Sequence, residues 1–161
     1  MIKYIFDVDG TLTPSRQRMD PEFEFWFKKF TLAADVYIVT GSDREKTIEQ
    51  LTPEIYNNCQ RVYQCSGNDV WEQDKHIQSN HWDMPNNVRA DLEIILKESK
   101  FYQKTGIHFD ERPGLVNFSI VGRGCNLEQR SMYKQWDEHK NERVSIADKM
   151  SKKYSDIKFE I

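Results

Sequence analysis

Hydrophobic positions in the first half of the chain form short continuous runs separated by stretches with helical spacing. The runs at Ile2–Phe6, Ala34–Thr40 and Arg61–Cys65 have the length of buried strands and end at polar turn residues. The stretch from Ser42 to Ile55 between the second and third runs has helical spacing and an interruption near Pro53. This strand–helix–strand order predicts an α/β sheet with crossover helices.

A helix with one aromatic face is predicted between the first two strands. Asp20 followed by Pro21 is typical of an N-cap and the first helical position. The residues that follow at helical spacing are Phe23, Trp26, Phe27 and Phe30. We therefore expect these aromatic side chains to belong to the helix core.

The pattern changes after about residue 70. A polar stretch from Val70 to Asp83 predicts a hairpin or a linker, and apolar positions 88, 92, 95 and 96 then predict a helix. Two alternating strands flank a Pro113-Gly114 turn, and Asn126 can cap the first of two further helices. The alternation from Ile157 to Ile161 predicts a last strand. We predict an α+β second domain over residues 85–161, after a first domain over residues 1–84.

Composition excludes several classes of protein. The 161 residues include 23 basic and 26 acidic side chains, a net charge of -3, so no basic field favours nucleic acid. No apolar run approaches the roughly 18–20 residues that span a bilayer, so we expect no membrane partner. The N-terminus becomes acidic too early for a secretory signal. Three cysteines without CxxC spacing indicate reduced thiols, and together these features predict a cytoplasmic protein.

The most informative motif is the stretch Asp7-Val8-Asp9-Gly10-Thr11, directly after the first predicted strand. Two carboxylates two residues apart on an extended chain point to the same side, at the edge where open α/β sheets bind ligands. Such a pair suits a divalent cation or shared acid–base chemistry. Gly10 permits a sharp turn, and Thr11 offers a hydroxyl and an amide to an anion. A solvated turn is the alternative, but DxDGT directly after a buried strand is far more specific than an isolated DxD.

This motif resembles the first motif of the haloacid dehalogenase (HAD) superfamily of phosphotransferases. The resemblance implies that Asp7 is the nucleophile, which forms an aspartyl-phosphate, and that Asp9 is the general acid and base. It also implies that Asp7 and Asp9 bind Mg2+. The segment Thr40-Gly41-Ser42 is similar to the second motif, and with Thr11 it is expected to bind the transferred phosphate at a helix N-terminus.

Longer segments are similar to the eukaryotic-type phosphomannomutase family. They are FDVDGTLTPSRQ, VTGSDREKTIEQL and the stretch from Arg112 to Arg130 with its arginine spacing. The family resemblance implies a partial, parallel-sheet HAD-like Rossmannoid core with an α+β cap domain. It also implies that the arginines bind the substrate phosphate distal to the nucleophile, which guanidinium groups suit better than lysine. These arginines are Arg16, Arg112, Arg123 and Arg130.

The implied activity is the interconversion of mannose 6-phosphate and mannose 1-phosphate, which supplies GDP-mannose synthesis. The hexose phosphate is the expected partner, and a homodimer through the cap is a further expectation from the family. Two alternatives stay open, a HAD sugar-phosphate phosphatase and a non-catalytic phosphosugar-binding remnant. The remnant is considered because the family's C-terminal core segment, with its acidic magnesium ligands, has no counterpart up to residue 161. Low activity is therefore expected for these 161 residues alone.

Overall fold

The computed structural model describes residues 2–161, which group into two compact units. The first unit contains residues 2–83 and the short segment Arg112–Leu115. The second unit contains Met84–Glu111 and Val116–Ile161. Each unit has its own cluster of buried apolar side chains. Within residues 2–161, no helix combines the length and the apolar character needed to cross a bilayer.

The first unit is built on a five-stranded sheet with the strand order β1-β2-β3-β4-β5. The strands are β1 (Lys3–Phe6), β2 (Asp35–Val39), β3 (Arg61–Gln64), β4 (Asp69–Glu72) and β5 (Lys75–Ser79). The first three strands are parallel, and β4 and β5 extend the sheet in antiparallel fashion. The predicted α/β class and the three predicted strands are confirmed. The segment predicted to be a hairpin or a linker forms the β4–β5 hairpin.

Three helices complete this unit: α1 (Pro21–Ala33), α2 (Arg44–Leu51) and α3 (Pro53–Asn58). Asp20 caps α1 as predicted, because its carboxylate accepts hydrogen bonds from amides of the first helical turn at 3.0 and 3.1 Å. Phe27 is fully buried and meets the Phe6 ring edge-on, with 5.3 Å between centroids. The Trp26 side chain is 54% exposed and stacks on the ring of Phe30, so its predicted core position is wrong.

The helices of the first unit pack on one face of the sheet. Side chains of Val36, Ile38 and Val62 lie in one buried cluster with apolar residues of all three helices. Consecutive right-handed crossovers that progress in one direction place their helices on the same face, which accounts for this arrangement. On the opposite face, Ile5 is 68% and Val39 41% exposed. Hydrophobic burial therefore stabilises the sheet from one side only within this unit.

The second unit combines a two-stranded sheet with three helices. Its elements are α4 (Asn86–Glu98), α5 (Leu127–Lys140), α6 (Glu142–Lys153) and most of the paired strands β6 (Phe109–Arg112) and β7 (Leu115–Phe118), whose end residues Arg112 and Leu115 are grouped with the first unit. Asn126 and Gln129 form a capping box at the start of α5, as the sequence position of Asn126 predicts. The predicted strand at Ile157–Ile161 is wrong. This segment has no strand to pair with among residues 2–161, and an alternating pattern alone does not satisfy backbone hydrogen bonds.

Candidate active site

The loop that follows β1 carries the DVDGT sequence and begins with Asp7, an exposed residue. Val8 is fully buried, and its carbonyl oxygen accepts hydrogen bonds from the amides of Thr11, Leu12 and Thr13 at 3.0–3.2 Å. These bonds close the loop into a tight turn beside the strand end. The Thr11 amide, expected to be available to an anion, is thus engaged by Val8. The hydroxyl of this exposed threonine is the group left for a predicted phosphate contact.

Asp9 is half-buried, and its carboxylate is fixed by donors from two different elements. Its Oδ1 atom accepts hydrogen bonds from the backbone amide of Arg16 at 2.6 Å and from the side-chain amide of Gln50 at 2.8 Å. The Gln50 Nε2 atom also donates to the hydroxyl of Thr13 at 3.0 Å. No residue of the described chain donates a hydrogen bond to Oδ2 of Asp9. One carboxylate oxygen is therefore immobilised, while the other has no donor among residues 2–161.

Sequence reasoning missed Gln50, because the burial of this glutamine is visible only in the structure. Gln50 lies on α2, where it is 1% exposed, beside the buried residues Thr47 and Leu51. A glutamine three residues after one buried position and next to another is on the inner face of an amphipathic helix. A buried amide needs hydrogen-bond partners, so the burial of Gln50 implies a polar group within reach of its side chain.

The second predicted motif lies in the loop between β2 and α2. Thr40 and Ser42 are buried, and the Ser42 amide donates to the Thr40 hydroxyl at 3.1 Å. The parallel pairing of Phe6 with Ile38 means that this loop and the loop that begins with Asp7 leave the sheet at the same edge. The structure thus brings the two motifs to one edge of the sheet, in the first unit. At this edge, open α/β sheets bind their ligands.

A strained turn after β3 supports the Thr40–Ser42 segment. Cys65 and Ser66 have positive φ angles of 49° and 58°, in the left-handed region that non-glycine residues rarely occupy. Their amides donate to the carbonyl oxygens of Ser42 and Thr40, both at 3.0 Å. Because such strain persists only where surrounding contacts impose it, this turn is a second feature that sequence reasoning missed.

Two of the four predicted arginines belong to the first unit. Arg16 lies in the loop that contains Asp9 and has a φ of 60°. The Arg112 side chain is only 9% exposed and donates to the carbonyl oxygen of Gly41 at 2.6 Å, with the Asp43 carboxylate 3.8 Å away. Sequence reasoning assigned Arg112 to the cap, whereas these contacts group it with the first unit. Arg112 therefore lies against the backbone of the predicted phosphate loop.

The other two predicted arginines, Arg123 and Arg130, belong to the second unit. Arg123 pairs with Asp110 at 2.6 Å, and Arg130 lies in the first turn of α5. Gly122 precedes Arg123 with a φ of 84°, and a Cβ atom there would lie 1.8 Å from the carbonyl oxygen of Thr105. Only glycine therefore permits the backbone that leads into Arg123.

The predicted metal ligands, Asp7 and Asp9, supply the hard oxygen atoms that Mg2+ prefers. Across residues 2–161, no three or more histidine, cysteine or acidic side chains are grouped to hold a metal ion. Mg2+ is often bound by one or two carboxylates, with substrate phosphate and water completing its shell. Asp7 is exposed and Asp9 is half-buried, and the oxygen atoms of these two residues fit a site of that composition.

Comparison with known proteins gives consistent matches. A family model described as eukaryotic phosphomannomutase matches residues 23–161. The phosphomannomutase of Drosophila melanogaster is 32% identical over 165 residues, which cover 97% of this chain and 65% of that protein. The phosphomannomutase of Saccharomyces cerevisiae is 26% identical, covering 94% of this chain and 62% of that protein. The chain spans less than two thirds of the length of either relative.

Two solved structures with partial similarity each cover about three fifths of the chain. A haloacid dehalogenase-like hydrolase from Bacteroides thetaiotaomicron superimposes with a TM-score of 0.43 and 20% identity, over 59% of this chain and 36% of that one. A HAD subclass IIB sugar phosphatase superimposes with a TM-score of 0.45 and 19% identity, over 61% and 38% of the two chains.

Proposed function

Because the chain belongs to the eukaryotic phosphomannomutase family, and through it to the HAD superfamily, we propose that it transfers a phosphoryl group between positions of mannose phosphate. The proposed reaction interconverts mannose 6-phosphate and mannose 1-phosphate through an aspartyl-phosphate on Asp7. The observation that supports it most is the exposed Asp7 at the end of β1, next to an Asp9 whose Oδ1 atom has two donors. A nucleophile and a positioned acid–base group are the two parts that this chemistry needs.

In the proposed first step, a carboxylate oxygen of Asp7 attacks one phosphorus atom of a hexose bisphosphate, whose other phosphate is the distal one. The bond between Asp7 and phosphorus forms as the bond between phosphorus and the sugar oxygen breaks, and Asp9 donates its proton to that oxygen. In the second step, a sugar hydroxyl attacks the phosphoryl group on Asp7 while the Asp9 carboxylate accepts the hydroxyl proton. Asp9 thereby returns to its protonated form, and Asp7 is free for another cycle.

Phosphate binding is assigned to two sets of residues. Thr11, Thr40, Gly41 and Ser42 would bind the transferred phosphoryl group through hydroxyl and backbone groups. The distal phosphate of the sugar would be bound by the guanidinium forks of the arginines, which match phosphate oxygens in pairs. The arginines of this set are Arg16, Arg112, Arg123 and Arg130. Asp7 and Asp9 would hold Mg2+, whose positive charge would offset the repulsion between carboxylate and phosphate.

The test is an isomerisation assay on the 161-residue chain with Mg2+ and a trace of hexose bisphosphate. Formation of mannose 6-phosphate from mannose 1-phosphate, abolished in Asp7→Asn, is the expected result, because an amide cannot form the acyl phosphate. Asp35→Asn is the matched control, since Asp35 lies at the opposite end of the neighbouring strand β2. Release of inorganic phosphate instead of isomerisation would favour the phosphatase alternative. Binding of mannose phosphate without turnover would favour the non-catalytic alternative.

A further inference from the structure

Gln50 is a buried amide whose two N–H groups are both used. It is 1% exposed, and Nε2 donates to Oδ1 of Asp9 at 2.8 Å and to the hydroxyl of Thr13 at 3.0 Å. The Oε1 atom of Gln50 is buried and has no hydrogen-bond partner in the described chain. Rotating the amide would bring Oε1 against the Asp9 carboxylate, which accepts but cannot donate when ionised. The orientation of Gln50 is therefore set by Asp9.

The same oxygen of Asp9 has a second donor, the backbone amide of Arg16 at 2.6 Å. Arg16 adopts a φ of 60°, and a non-glycine residue keeps this conformation only where its surroundings impose it. Two donors from separate elements, helix α2 and the loop at Arg16, thus converge on one carboxylate oxygen. Together they restrict rotation of the carboxylate and determine the direction in which Oδ2 points.

From this geometry we propose that Gln50 is a positioning residue for the acid–base function of Asp9. The role rests on the proposed function, in which the Oδ2–H group of Asp9 gives its proton to the leaving sugar oxygen. As that proton leaves, the P–O bond to the sugar breaks, the bond from phosphorus to Asp7 forms, and Asp9 becomes a carboxylate. Gln50 and the Arg16 amide stabilise that carboxylate at Oδ1, and Oδ2 takes the proton back from the next attacking hydroxyl.

This role predicts a defect that depends on the leaving group. Protonation by a general acid contributes roughly 10²–10⁴-fold, but only where the leaving oxygen needs a proton. The alkoxide of mannose 6-phosphate needs one, whereas the p-nitrophenolate of p-nitrophenyl phosphate is a stable anion. A loss of folded protein would lower the reaction rates of both esters by the same factor. The ratio of the two rates therefore distinguishes a mispositioned Asp9 from a loss of folded protein.

The experiment compares Gln50→Met with the wild-type chain on both esters. Methionine has a side chain of similar length without an N–H group. The substitution also removes the unpartnered Oε1 atom of Gln50, so the fold is expected to survive. The first step is measured alone, in a single turnover, because Asp9 acts as the base in the second step for both esters. We expect the rate of sugar release from mannose 6-phosphate to fall about 10–100-fold more than the rate of p-nitrophenolate release, a part of the general-acid contribution. Gln64→Met is the matched control, because Gln64 is also fully buried with an unpartnered Oε1 but donates to Tyr56. Its rate ratio is expected to stay at the wild-type value.

The outcomes distinguish the role of Gln50 from the function on which it rests. An unchanged rate ratio in Gln50→Met, or equal losses on both esters, overturns the positioning role and leaves the proposed function intact. A wild-type chain that turns over neither ester overturns the proposed function, and the role with it. If circular dichroism shows that Gln50→Met is unfolded, Gln50→Leu replaces it. Leucine also has no side-chain N–H group to donate to Asp9, so the same selective loss is expected.

Discussion

Asp137 stabilises the start of α6 in place of the residue that normally caps a helix. The residue before α6 is Asn141, which has left-handed backbone angles (φ 52°, ψ 36°) and makes no side-chain capping bond. The Asp137 carboxylate, on the preceding helix α5, instead accepts the Arg143 amide at 2.9 Å and the Arg143 Nε atom at 2.6 Å. Asp137 is 5% exposed. Replacing it with alanine therefore leaves an α6 amide without its acceptor.

The cost of Asp137→Ala follows from these two contacts. Loss of a capping acceptor costs about 1 kcal/mol. The ion pair adds about 0.5 kcal/mol, because the Arg143 side chain is 49% exposed and solvent screens the pair. We expect about 1.5 kcal/mol of lost stability for Asp137→Ala. For Asp137→Asn, which retains an acceptor for the amide, we expect a loss of about 0.5 kcal/mol.

The same contacts predict a pH dependence. Burial pushes the pKa of Asp137 upward, but hydrogen bonds from the Arg143 amide and guanidinium outweigh it, so the pKa lies below its usual 3.8. A carboxyl whose pKa is lower in the folded state contributes stability above the unfolded pKa, and this contribution is lost as pH falls through the folded pKa. The stability difference between wild type and Asp137→Ala should thus be constant near neutral pH and shrink below about pH 4.

Urea unfolding of the full chain, followed by circular dichroism at pH 7 and at pH 3, measures both effects. Asp148→Ala is the control, because Asp148 is an exposed carboxylate on α6. Stability of Asp137→Ala within about 0.5 kcal/mol of the control at pH 7, the range of ordinary surface substitutions, would refute the capping role. A difference that grows below pH 4 would refute the charge assignment.

Two further predictions concern the second unit and the thiols. Arg123→Ala and Arg130→Ala should each weaken binding of mannose 1-phosphate by roughly 1.5–3 kcal/mol, the scale of hydrogen bonds to charged groups, in calorimetric titration. Unchanged affinity in both variants, relative to Lys134→Ala on helix α5, would contradict their assignment to the distal phosphate. Burial raises the pKa of Cys59 to about 12, so iodoacetamide at pH 8 should modify the half-buried Cys125 well before Cys59. Equal labelling rates in peptide mass spectrometry would show that Cys59 is accessible.

Local sequence signals predicted the elements of the fold well. The Asp20-Pro21 pair specified where α1 begins, because capping depends on a few adjacent residues. The apolar runs predicted β1, β2 and β3 correctly, although only one face of this sheet packs against helices within the unit. The terminal alternation at Ile157–Ile161 failed as a strand prediction, because a strand also requires a partner, which local pattern does not encode.

Long-range contacts of the candidate site could not be predicted in the same way. The bond between Gln50 and Asp9 joins residues 41 positions apart, and the bond between Arg112 and Gly41 joins residues 71 positions apart. Both depend on how elements pack, which composition and periodicity leave open. The carboxylates Asp7 and Asp9 could be singled out from sequence because two functional groups and a glycine share one short motif. Their supporting residues come from other parts of the chain and carry no motif.

Covalent phosphorylation of Asp7 is the most direct test of the proposed function. The wild-type chain is incubated with Mg2+ and hexose 1,6-bisphosphate, quenched with acid and digested, and the peptide that contains Asp7 is analysed by mass spectrometry. We predict a phosphoryl group on Asp7 that hydroxylamine removes, as expected for an acyl phosphate, and no such modification in Asp7→Asn. Turnover of the sugar phosphate without any phosphoryl group on Asp7, or equal labelling of Asp7→Asn, would contradict an aspartyl-phosphate mechanism at this residue.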